Sequence, residues 1–476
     1  MGKYTMIGFL IAALVFTGCK KRESVSPELS VSPSEINFAS EGGTANLTIA
    51  GNAQWTVNNA AAAWLQLNQT SGNSGTAMVP LTAAFNTTGA TRSTVLVVNS
   101  SNGLARRVTI SQPNRIYPSY NLSAKAPDST GMSTAIQLAA KIKLGWNLGN
   151  TMEAPGGETG WGSPVITESY IKFVKQSGFN AIRIPCAWDW HTDNKATAHI
   201  DPNWLKRVKE VVGYCVNNDM YVLLNIHWDG GWLDENCKLI KKDSVSAKLQ
   251  AFWEQIATTM RDVDEHLMFA SCNEPTTSNA EDMNVLLSYH QAFINAVRST
   301  GGKNSHRCLV IQGSSDLIST GAFPTDPSPN RLMYEEHNYT PFQFCALDGD
   351  ASWGKMFYYW GAGHHSTIEP DRNPTWGEES EQTKWLDKMK SMFIDKNIPV
   401  LMGEYGAYRR GAGSRNVPKD LATHNDAVDY WITYLTKQAL ARGIKPFWWD
   451  TGGILNRSSN TVVDQRSLDA IIAGTK

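Results

Sequence analysis

Two different patterns of apolar and polar positions divide this chain. From about Glu28 to Asn114, short alternating runs such as Thr94–Val98 and Arg107–Ile110 are separated by turns rich in Gly, Asn, Ser and Thr. Alternation with a period of two is typical of strands that bury one face, and closely spaced turns favour antiparallel pairing. This part of the sequence therefore predicts a small all-β sandwich of the immunoglobulin-like type.

After Met132 the pattern changes to apolar runs of strand length separated by helical stretches. Asp201 and Pro202 supply an N-cap and first turn, after which apolar residues recur at helical spacing. Only the stretch after Gln312 gives a poor helix. Eight buried strands alternating with amphipathic helices predict an α/β fold, a (β/α)8 TIM barrel. The predicted strands are 143–148, 180–185, 221–227, 267–273, 307–312, 332–339, 399–404 and 445–449.

The chain begins with a pattern typical of a targeting segment. Lys3 precedes an apolar run at 6–16 that is too short to span a bilayer, and Thr17-Gly18-Cys19 follows. This resembles a bacterial lipoprotein signal, which implies that Cys19 becomes the lipidated first residue. A simple secretory leader cut elsewhere is the alternative.

The resemblance implies an outer-membrane lipoprotein. Surface-exported lipoproteins of the Bacteroidetes commonly carry an acidic cluster after the cysteine, whereas this chain has Lys20-Lys21-Arg22. Both a periplasmic-facing and a cell-surface location therefore stay open. The predicted organisation is a signal peptide at 1–18, a tether at 19–27, the sandwich at 28–114, a linker at 115–130 and the barrel at 131–476.

Charge and composition exclude several classes of protein. A net charge of -1 and a pI near 6.8 leave no broad basic field for nucleic acid. The cysteines after Cys19 show no metal-ligand spacing, so we predict no structural metal and assign no disulfide. The 17 tryptophans suit stacking on sugar rings as well as core packing.

Two predicted strands end in a glutamate. Glu274 follows the apolar strand in L-M-F-A-S-C-N-E-P at 267–275, and Glu404 follows the strand in I-P-V-L-M-G-E-Y-G at 398–406. A carboxylate at the end of a buried strand is costly unless chemistry uses it. Hydrolysis of a glycosidic bond requires such a pair of acids.

Other strands of the predicted barrel also end in polar or aromatic residues. Each has an ordinary explanation when taken alone; His227, for example, is compatible with a core imidazole that has its hydrogen bonds satisfied. Together with Glu274 and Glu404, these residues recur at the same relative position on six strands, which predicts one site at the C-terminal face of the barrel. These residues are Arg183, His227, Asn273, His337, Tyr339, Trp448 and Trp449.

Seven motifs in the second domain occur together in an order that resembles glycoside hydrolase family 5, in its endoglucanase-like branch. Many relatives have His-His after the third strand, whereas this chain has His227-Trp228. The resemblance therefore implies an active-site role for His227 only. The motifs are G-W-N-L-G-N-T at 145–151, I-R-I-P at 182–185, N-I-H-W-D-G-G-W at 225–232, N-E-P at 273–275, H-N-Y at 337–339, G-E-Y-G at 403–406 and W-W-D at 448–450.

The first domain resembles the BACON domain. The similar stretches are L-S-V-S-P at 29–33, W-T-V at 55–57, W-L at 64–65, Arg92 and V-T-I-S-Q at 108–112. The name of that family implies carbohydrate binding, yet Trp55 and Trp64 are equally compatible with the core of the sandwich. We favour a spacer between membrane and enzyme over a glycan binder.

The resemblance to family 5 implies a retaining mechanism on β-linked glucans. Glu274 is expected as the general acid and then base with a raised pKa, and Glu404 as the nucleophile. Their carboxyl groups are expected about 5 to 5.5 Å apart. No cofactor or metal is expected.

Further residues are expected to bind the substrate or support the two glutamates. Arg183 and Tyr339 are expected to hold Glu404, and Asn273 to bond the 2-hydroxyl of the sugar. His227 and His337 support the site, Trp449 forms the floor of the central subsite, and Trp232 stacks on sugar. The remaining wall candidates are Trp188, Trp190, Trp353, Phe357, Tyr358, Tyr359 and Trp360.

Three functional hypotheses follow from these residues. The first is an endo-β-1,4-glucanase that acts as a monomer on cellulose-like, mixed-linkage or xyloglucan chains. The second is the same catalytic residues acting on mannan or xylan, because no motif reveals the sugar contacts. The third is a non-catalytic glycan-binding lipoprotein, which the presence of both glutamates disfavours.

Overall fold

The chain folds into two compact units, one ending at Arg115 and the other running from Ile116 to Lys476. The predicted signal peptide and Cys19 lie outside the described residues. None of the helices in the described part has the length and apolar character needed to span a lipid bilayer. The computed structural model describes residues 26–40, 42–86, 88, 90–121, 123–319, 322–411 and 414–476.

The first unit contains two β-sheets, in agreement with the predicted sandwich. One sheet has the strand order Leu29–Ser32, Gly43–Gly51, Gly75–Ala83 and Leu65–Leu67. The other has the order Glu35–Asn37, Ala105–Gln112, Arg92–Ser100, Trp55–Asn58 and Ser71–Gly72.

The alternation in the sequence produces the core of this unit. On strand Gly43–Gly51, Leu47 and Ile49 are fully buried, whereas Asn46 is exposed. The pairing is antiparallel except between Glu35–Asn37 and Ala105–Gln112, which run parallel. The predicted class of fold is therefore correct, but the one parallel pair of strands was not predicted.

The second unit is a closed barrel in which all eight predicted strands form and neighbouring strands pair in parallel. In chain order, which is also the order around the barrel, the strands are β1 (Gly145–Asn147), β2 (Ala181–Ile184), β3 (Tyr221–Asn225), β4 (Leu267–Ala270), β5 (Leu309–Gln312), β6 (Leu332–Asn338), β7 (Val400–Tyr405) and β8 (Lys445–Trp448).

Helices connect most of the strands. Asp201 caps α3, as predicted, by accepting from the N–H of Asn203. In the described part of the connection between β5 and β6 no α-helix forms, which agrees with the poor helical pattern after Gln312. The helices are α1 (Ala135–Lys141), α2 (Glu168–Gln176), α3 (Pro202–Asn217), α4 (Lys242–Thr259), α5 (Ala280–Ser299), α6 (Phe342–Cys345), α7 (Glu379–Met392), α8 (Leu421–Ala441) and α9 (Gln465–Ala473).

The second unit also contains short strand pairs and 3-10 helices outside the eight barrel strands. Strand Lys125–Pro127 lies in the predicted linker, pairs with Gly301–Gly302 and so packs on the second unit. Nearby, the N–H of Tyr120 donates to Glu254 at 2.7 Å. Two further pairs are Thr192–Asn194 with His199–Ile200 and Leu455–Asn456 with Thr461–Val462, and the 3-10 helices are Asp189–His191, Leu239–Lys241, Lys303–Ser305, Pro370–Arg372 and Ile394–Lys396.

Apolar side chains fill the inside of the barrel towards its N-terminal end. Leu223, Met268 and Phe447 belong to one buried cluster with Leu138 and Ile142, from α1 and its C-cap. This cluster leaves the polar residues at the opposite end, where the strands finish. The cysteines from Cys186 to Cys345 are buried free thiols.

Candidate active site

Glu404 lies near the end of β7, where that strand carries one extra residue relative to β6. Glu336 pairs with Met402 and His337 pairs with Glu404, which leaves Gly403 without a partner in β6. Bulges of this kind re-aim side chains beside active sites. The bulge sets Glu404 opposite His337 with only 7% of its side chain exposed.

Arg183, from β2, is fully buried at the centre of the site. Its Nη1 donates to Glu404 Oε1 at 2.7 Å and to Asn147 Oδ1 at 3.1 Å. Its Nη2 donates to Asn273 Oδ1 at 2.5 Å, and its Nε lies 2.8 Å from Glu335 Oε1. Burial opposes the charge, but the carboxylates of Glu335 and Glu404 outweigh it and raise the pKa of Arg183.

His337 lies between three carboxylates. Its Nδ1 is 2.8 Å from Glu274 Oε1 and 3.7 Å from Glu404 Oε1, and its Nε2 is 3.0 Å from Glu335 Oε1. Burial disfavours the charged ring, but these glutamates outweigh burial and raise the pKa of His337 to about 10. The imidazole is therefore a cation at neutral pH, with a carboxylate at each nitrogen.

Glu274 lies four residues beyond β4 in a left-handed backbone conformation, with a φ of 44°. Residues other than glycine rarely adopt this conformation, and such strain is concentrated at functional sites. The N–H of Glu274 donates to Gln312 Oε1 at 2.7 Å, which ties the turn to β5. Its side chain is 55% exposed, so it faces the open end of the barrel.

The electrostatics of Glu274 differ from the expectation. The hydrogen bond from His337 lowers the pKa of Glu274, and the charges of His337 and Arg183 add to this effect against the opposing effect of burial. The pKa of Glu274 is therefore lowered in this structure, where a raised value was expected. The physical reason is the charged state of His337, which depends on contacts that the sequence does not show.

The two glutamates approach each other closely. One oxygen of Glu274, one oxygen of Glu404 and one ring nitrogen of His337 all lie within 4.8 Å of one another. Carboxyl groups about 5 to 5.5 Å apart belong to retaining glycosidases, whereas about 6.5 to 9.5 Å indicates inversion. The same three residues also have the spacing of a metal site. The arrangement suits nucleophilic attack and proton transfer.

Tyr339 contacts the second oxygen of Glu404. Its hydroxyl donates to Glu404 Oε2 at 3.0 Å. Burial and the neighbouring Glu404 carboxylate raise the pKa of Tyr339 well above its usual value, so the phenol keeps its proton. Arg183 and Tyr339 thus bond one oxygen of Glu404 each, as the sequence predicts.

Trp449 and His227 lie face to face. Their ring centroids are 5.9 Å apart and their planes differ by 9°. The backbone N–H of Trp449 donates to the backbone carbonyl of Tyr405, which fixes the start of the loop after β8. Burial, together with the cations of Arg183 and His337, lowers the pKa of His227 well below its usual value, so this ring is neutral.

Trp232 contacts α4 and remains partly exposed on the loop after β3. Its ring packs edge-on against Phe252 of α4 with centroids 5.5 Å apart, and the ammonium of Lys248 lies 4.7 Å from its centroid. Stacking of Trp232 on sugar stays a prediction. Trp228, four residues earlier, is 40% exposed and contacts Trp190 edge-to-face at 5.3 Å.

Exposed aromatic residues lie around the same end of the barrel. Among the described residues of the second unit, every Trp, Tyr or Phe side chain that is largely exposed to solvent lies on a connection that follows a barrel strand. By contrast, Trp188 and the segment Phe357–Trp360 are buried. The exposed set is Trp161, Trp228, Phe342, Trp353, Trp376 and Tyr408.

Sequence reasoning missed three side chains of the site. Glu335 is fully buried and contacts both cations, Asn147 donates to the Gly403 carbonyl at 2.9 Å, and Gln312 holds the backbone of Glu274. Glu335 lies two residues before His337 on the same strand, so the alternation of strand faces was a usable signal.

The comparisons with known proteins agree with this geometry. The family model described as cellulase (glycosyl hydrolase family 5) matches residues 147–453, and the model of the viral BACON domain matches residues 28–114. The chain is 30% identical to a xyloglucan-specific endo-β-1,4-glucanase of Bacteroides ovatus, over 96% of this chain and 94% of that protein. It is 31% identical to endoglucanase A of Paenibacillus barcinonensis, over 75% of this chain and 94% of that protein.

A solved structure extends the similarity to three dimensions. The family 5 xyloglucanase of Bacteroides ovatus, in complex with a XXXG heptasaccharide, aligns with a TM-score of 0.69 at 29% identity. The alignment covers 94% of this chain and all of that chain. The chain therefore belongs to glycoside hydrolase family 5, carries a BACON-like domain at its N-terminus, and is an enzyme of the endo-β-1,4-glucanase class.

Proposed function

We propose that this enzyme is a retaining endo-xyloglucanase in which Glu404 is the nucleophile and Glu274 is the general acid and base. The observation that carries this proposal is the short separation of the two carboxylates, since one oxygen of Glu274 lies within 4.8 Å of one oxygen of Glu404. A short separation suits direct attack by one carboxylate, whereas inversion needs additional room for an attacking water.

In the first step Glu274 gives its proton to the glycosidic oxygen while the bond from that oxygen to the anomeric carbon breaks. Glu404 attacks the same carbon from the opposite face and forms a glycosyl ester. In the second step water attacks the carbon, Glu274 takes a proton from the water, and the ester bond to Glu404 breaks. Arg183 and Tyr339 aim Glu404 for attack, because each bonds a different oxygen of the carboxylate.

The acid role of Glu274 requires its proton to be available when the substrate is bound. The side chain of Glu274 is 55% exposed, and His337 lowers the pKa of Glu274. A polysaccharide chain covering the site removes water from Glu274, and loss of water disfavours the anion and raises the pKa. Substrate binding thus moves Glu274 towards the protonated state that the first step uses.

Asn273 and Trp449 position the sugar. Asn273 Oδ1 already accepts from Arg183, so its amide N–H groups are the part available to donate to the 2-hydroxyl. Trp449 is proposed to offer a flat apolar face to the sugar, and the neutral ring of His227 lies nearly parallel to it with centroids 5.9 Å apart. The bond to the 2-hydroxyl strengthens as charge develops in the transition state.

Xyloglucan is the proposed substrate because the Bacteroides ovatus xyloglucanase, which aligns with nearly the whole chain both in sequence and as a solved structure, is named for it. The exposed aromatics on the strand-to-helix connections supply stacking surfaces for a long chain. Mixed-linkage glucan, mannan and xylan remain as alternative outcomes of the test below.

We further propose that the first unit is a spacer and that Cys19 carries a lipid anchor for a monomeric enzyme in the outer membrane. In the sandwich, Trp55 is buried and the guanidinium of Arg92 covers the ring of Trp64 at 4.4 Å. Trp55 therefore offers no face to a sugar, and one face of Trp64 is covered. Labelling with radioactive palmitate tests the anchor, because Cys19→Ala abolishes incorporation if the proposal is correct.

Hydrolysis of a panel of purified polysaccharides tests the proposed function. The wild type is expected to release oligosaccharides from xyloglucan at the highest kcat/KM, and Glu404→Gln is expected to release none while its circular dichroism stays unchanged. Turnover by this variant at near-normal rates would show that Glu404 is not the nucleophile. Binding of a polysaccharide by the wild type without any hydrolysis would favour the glycan-binding hypothesis instead.

A further inference from the structure

The backbone of Glu274 adopts a conformation that its own side chain disfavours. Its φ of 44° lies in the left-handed region, where a Cβ atom crowds the neighbouring backbone. Glycine would adopt this conformation freely, but glycine carries no carboxyl group. Because such a conformation persists only where surrounding contacts hold it, the position of the Glu274 carboxyl group depends on the contacts of this turn.

Two hydrogen bonds from backbone N–H groups hold the turn after β4. The N–H of Glu274 donates to Gln312 Oε1 at 2.7 Å, and the N–H of Thr276 donates to the backbone carbonyl of Asp234 at 2.8 Å. The first bond acts at the strained residue itself. The amide oxygen of Gln312 therefore fixes the peptide plane before Glu274 and, with it, the direction in which the Glu274 side chain leaves the backbone.

The position of Gln312 on β5 explains why it reaches this turn. Val310 belongs to the buried cluster inside the barrel, and residues two apart on a strand share one face. Gln312 is the last residue of β5, so its side chain lies on the inner face at the C-terminal end, where it is only 5% exposed. Buried amides need partners for their polar atoms, and the N–H of Glu274 supplies one.

His290 of α5 fixes the backbone of Gln312. The buried ring has its Nε2 atom 2.7 Å from the Gln312 carbonyl and its Nδ1 atom 2.8 Å from Ser271 Oγ. Because a carbonyl oxygen only accepts, Nε2 carries the proton and Nδ1 accepts from the hydroxyl of Ser271. Burial lowers the pKa of His290 to about 4, so the neutral ring keeps this arrangement at neutral pH. Ser271 directly follows β4, so His290 ties the ends of β4 and β5 together.

We propose that Gln312 is a positioning residue for acid–base catalysis, which acts through the backbone of Glu274 to aim its carboxyl group at the glycosidic oxygen. This inference rests on the proposed function and deepens it. Arg183 and Tyr339 bond the carboxylate of Glu404 separately. Loss of the Gln312 amide oxygen should therefore impair proton transfer by Glu274 and spare the attack by Glu404.

Substrates whose leaving groups differ in their need for a proton separate these two effects. The dinitrophenyl glycoside of the XXXG heptasaccharide needs no acid, because dinitrophenolate leaves as a stable anion, whereas the leaving sugar of xyloglucan needs the proton of Glu274. Gln312→Met keeps the length of the side chain and removes the amide oxygen. Since general acid catalysis contributes about 100- to 10,000-fold, kcat/KM is expected to fall about tenfold or more on xyloglucan and to stay within about threefold on the dinitrophenyl glycoside.

Azide gives a second readout, in the step where Glu274 acts as a base. Water that opens the glycosyl ester must give a proton to Glu274. Azide is already an anion, so it attacks the anomeric carbon without losing a proton while the bond to Glu404 breaks. Added azide is expected to raise kcat of Gln312→Met on the dinitrophenyl glycoside and to yield the glycosyl azide, with no such increase for the wild type. A packing defect would not respond to azide.

Two further variants control for packing and folding. Gln250→Met makes the same change at a residue of α4 that is 3% exposed and contacts Glu254 in its own helix, and it is expected to keep both kcat/KM values. Gln312→Glu keeps an acceptor oxygen for the N–H of Glu274. At its own pH optimum it is expected to keep the wild-type ratio of the two kcat/KM values, and it tests the proposal even if Gln312→Met does not fold.

Glu274→Gln distinguishes failure of this inference from failure of the proposed function. A loss confined to xyloglucan in both Glu274→Gln and Gln312→Met, with the wild-type ratio in Gln312→Glu, would support both. If Glu274→Gln shows this loss but Gln312→Met lowers both values equally or neither, or if Gln312→Glu loses the ratio, Gln312 does not position the acid and the proposed function stands. Equal losses on both substrates in Glu274→Gln would overturn the acid role of Glu274 itself.

Discussion

The charged side chains around the anomeric position form one compact network. Arg183 and His337 contribute two positive charges, and Glu274, Glu335 and Glu404 contribute three negative ones, which leaves a net charge of -1. The transition state of glycoside hydrolysis carries positive charge on the sugar ring. Because Glu274 is protonated when the first step begins, the excess negative charge develops as Glu274 gives up its proton, and the site therefore stabilises the transition state more than the neutral substrate.

Replacing the charged histidine tests this network through its pH dependence. His337→Asn removes a cation that lowers the pKa of Glu274. Because loss of a neighbouring positive charge disfavours the carboxylate, the pKa of Glu274 should rise by about one unit or more. The enzyme loses its general acid as pH rises through this pKa, so the alkaline limb of kcat/KM should move to higher pH while the maximal rate falls.

The measurement is kcat/KM on xyloglucan between pH 4 and 10. His199→Asn provides the control, because His199 contacts Asp193 on the separate hairpin after β2. A lower maximal rate with an unmoved alkaline limb would show that His337 does not set the pKa of Glu274.

The sequence was informative for side chains that stand at strand ends and less so for those within strands. Glu274 and Glu404 were found because a carboxylate after an apolar strand is conspicuous. Glu335 was missed because an acid inside a strand is ordinarily assigned to solvent, and only its contacts with Arg183 and His337 explain its burial. The exposure of Trp232 could not be predicted, because it depends on how α4 packs against its loop.

At the next level of organisation, the bulge in β7 determines the geometry of the site. A Cβ atom on Gly403 would lie 2.0 Å from Glu335 Oε1, so only glycine allows Glu335 to sit beside the strand. The extra residue also sets Glu404 opposite His337. Strand periodicity predicted all eight barrel strands, but the bulge depends on side chains of neighbouring strands and is not visible in the apolar pattern.

Gly403→Ala should therefore disable the enzyme while the barrel still forms. The methyl group displaces Glu335, and Arg183 and His337 move with it, so kcat/KM should fall by about 100-fold or more, as misplacement by 1 Å can cause. Gly213→Ala in α3 is the matched control, because a Cβ there meets open space. This control should raise the free energy of unfolding by about 0.4 to 1 kcal/mol and keep full activity.

Activity assays and urea unfolding of both variants check these expectations. Near-normal kcat/KM for Gly403→Ala would mean that the position of Glu335 is not critical.

The complete chain consists of two units, each with its own hydrophobic core. All the proposed catalytic residues lie in the second unit. Composition and the change in apolar pattern predicted both fold classes, because a period of two and a strand–helix alternation are long-range signals. The sequence did not reveal that the segment after Arg115 packs on the barrel, since its strand at Lys125–Pro127 pairs with Gly301–Gly302 far along the chain.

Removal of the first unit tests the spacer proposal. A protein starting at Ile116 should fold and hydrolyse soluble xyloglucan with a kcat/KM within about threefold of the full chain, because an independent domain keeps its own core. Pull-down on insoluble xyloglucan complexes should also be unchanged. Loss of pull-down with intact hydrolysis of the soluble polymer would show that the first unit binds glycan.

The identity of the nucleophile is the central claim, and covalent trapping tests it most directly. A 2-deoxy-2-fluoro cellooligosaccharide with a good leaving group forms the glycosyl ester faster than water can open it, so the intermediate accumulates for mass spectrometry. We predict one added 2-deoxy-2-fluoro oligosaccharide on the peptide that contains Glu404, and none in Glu404→Gln. A label on Glu274 or another residue, or turnover that releases the inverted anomer without any label, would contradict the account.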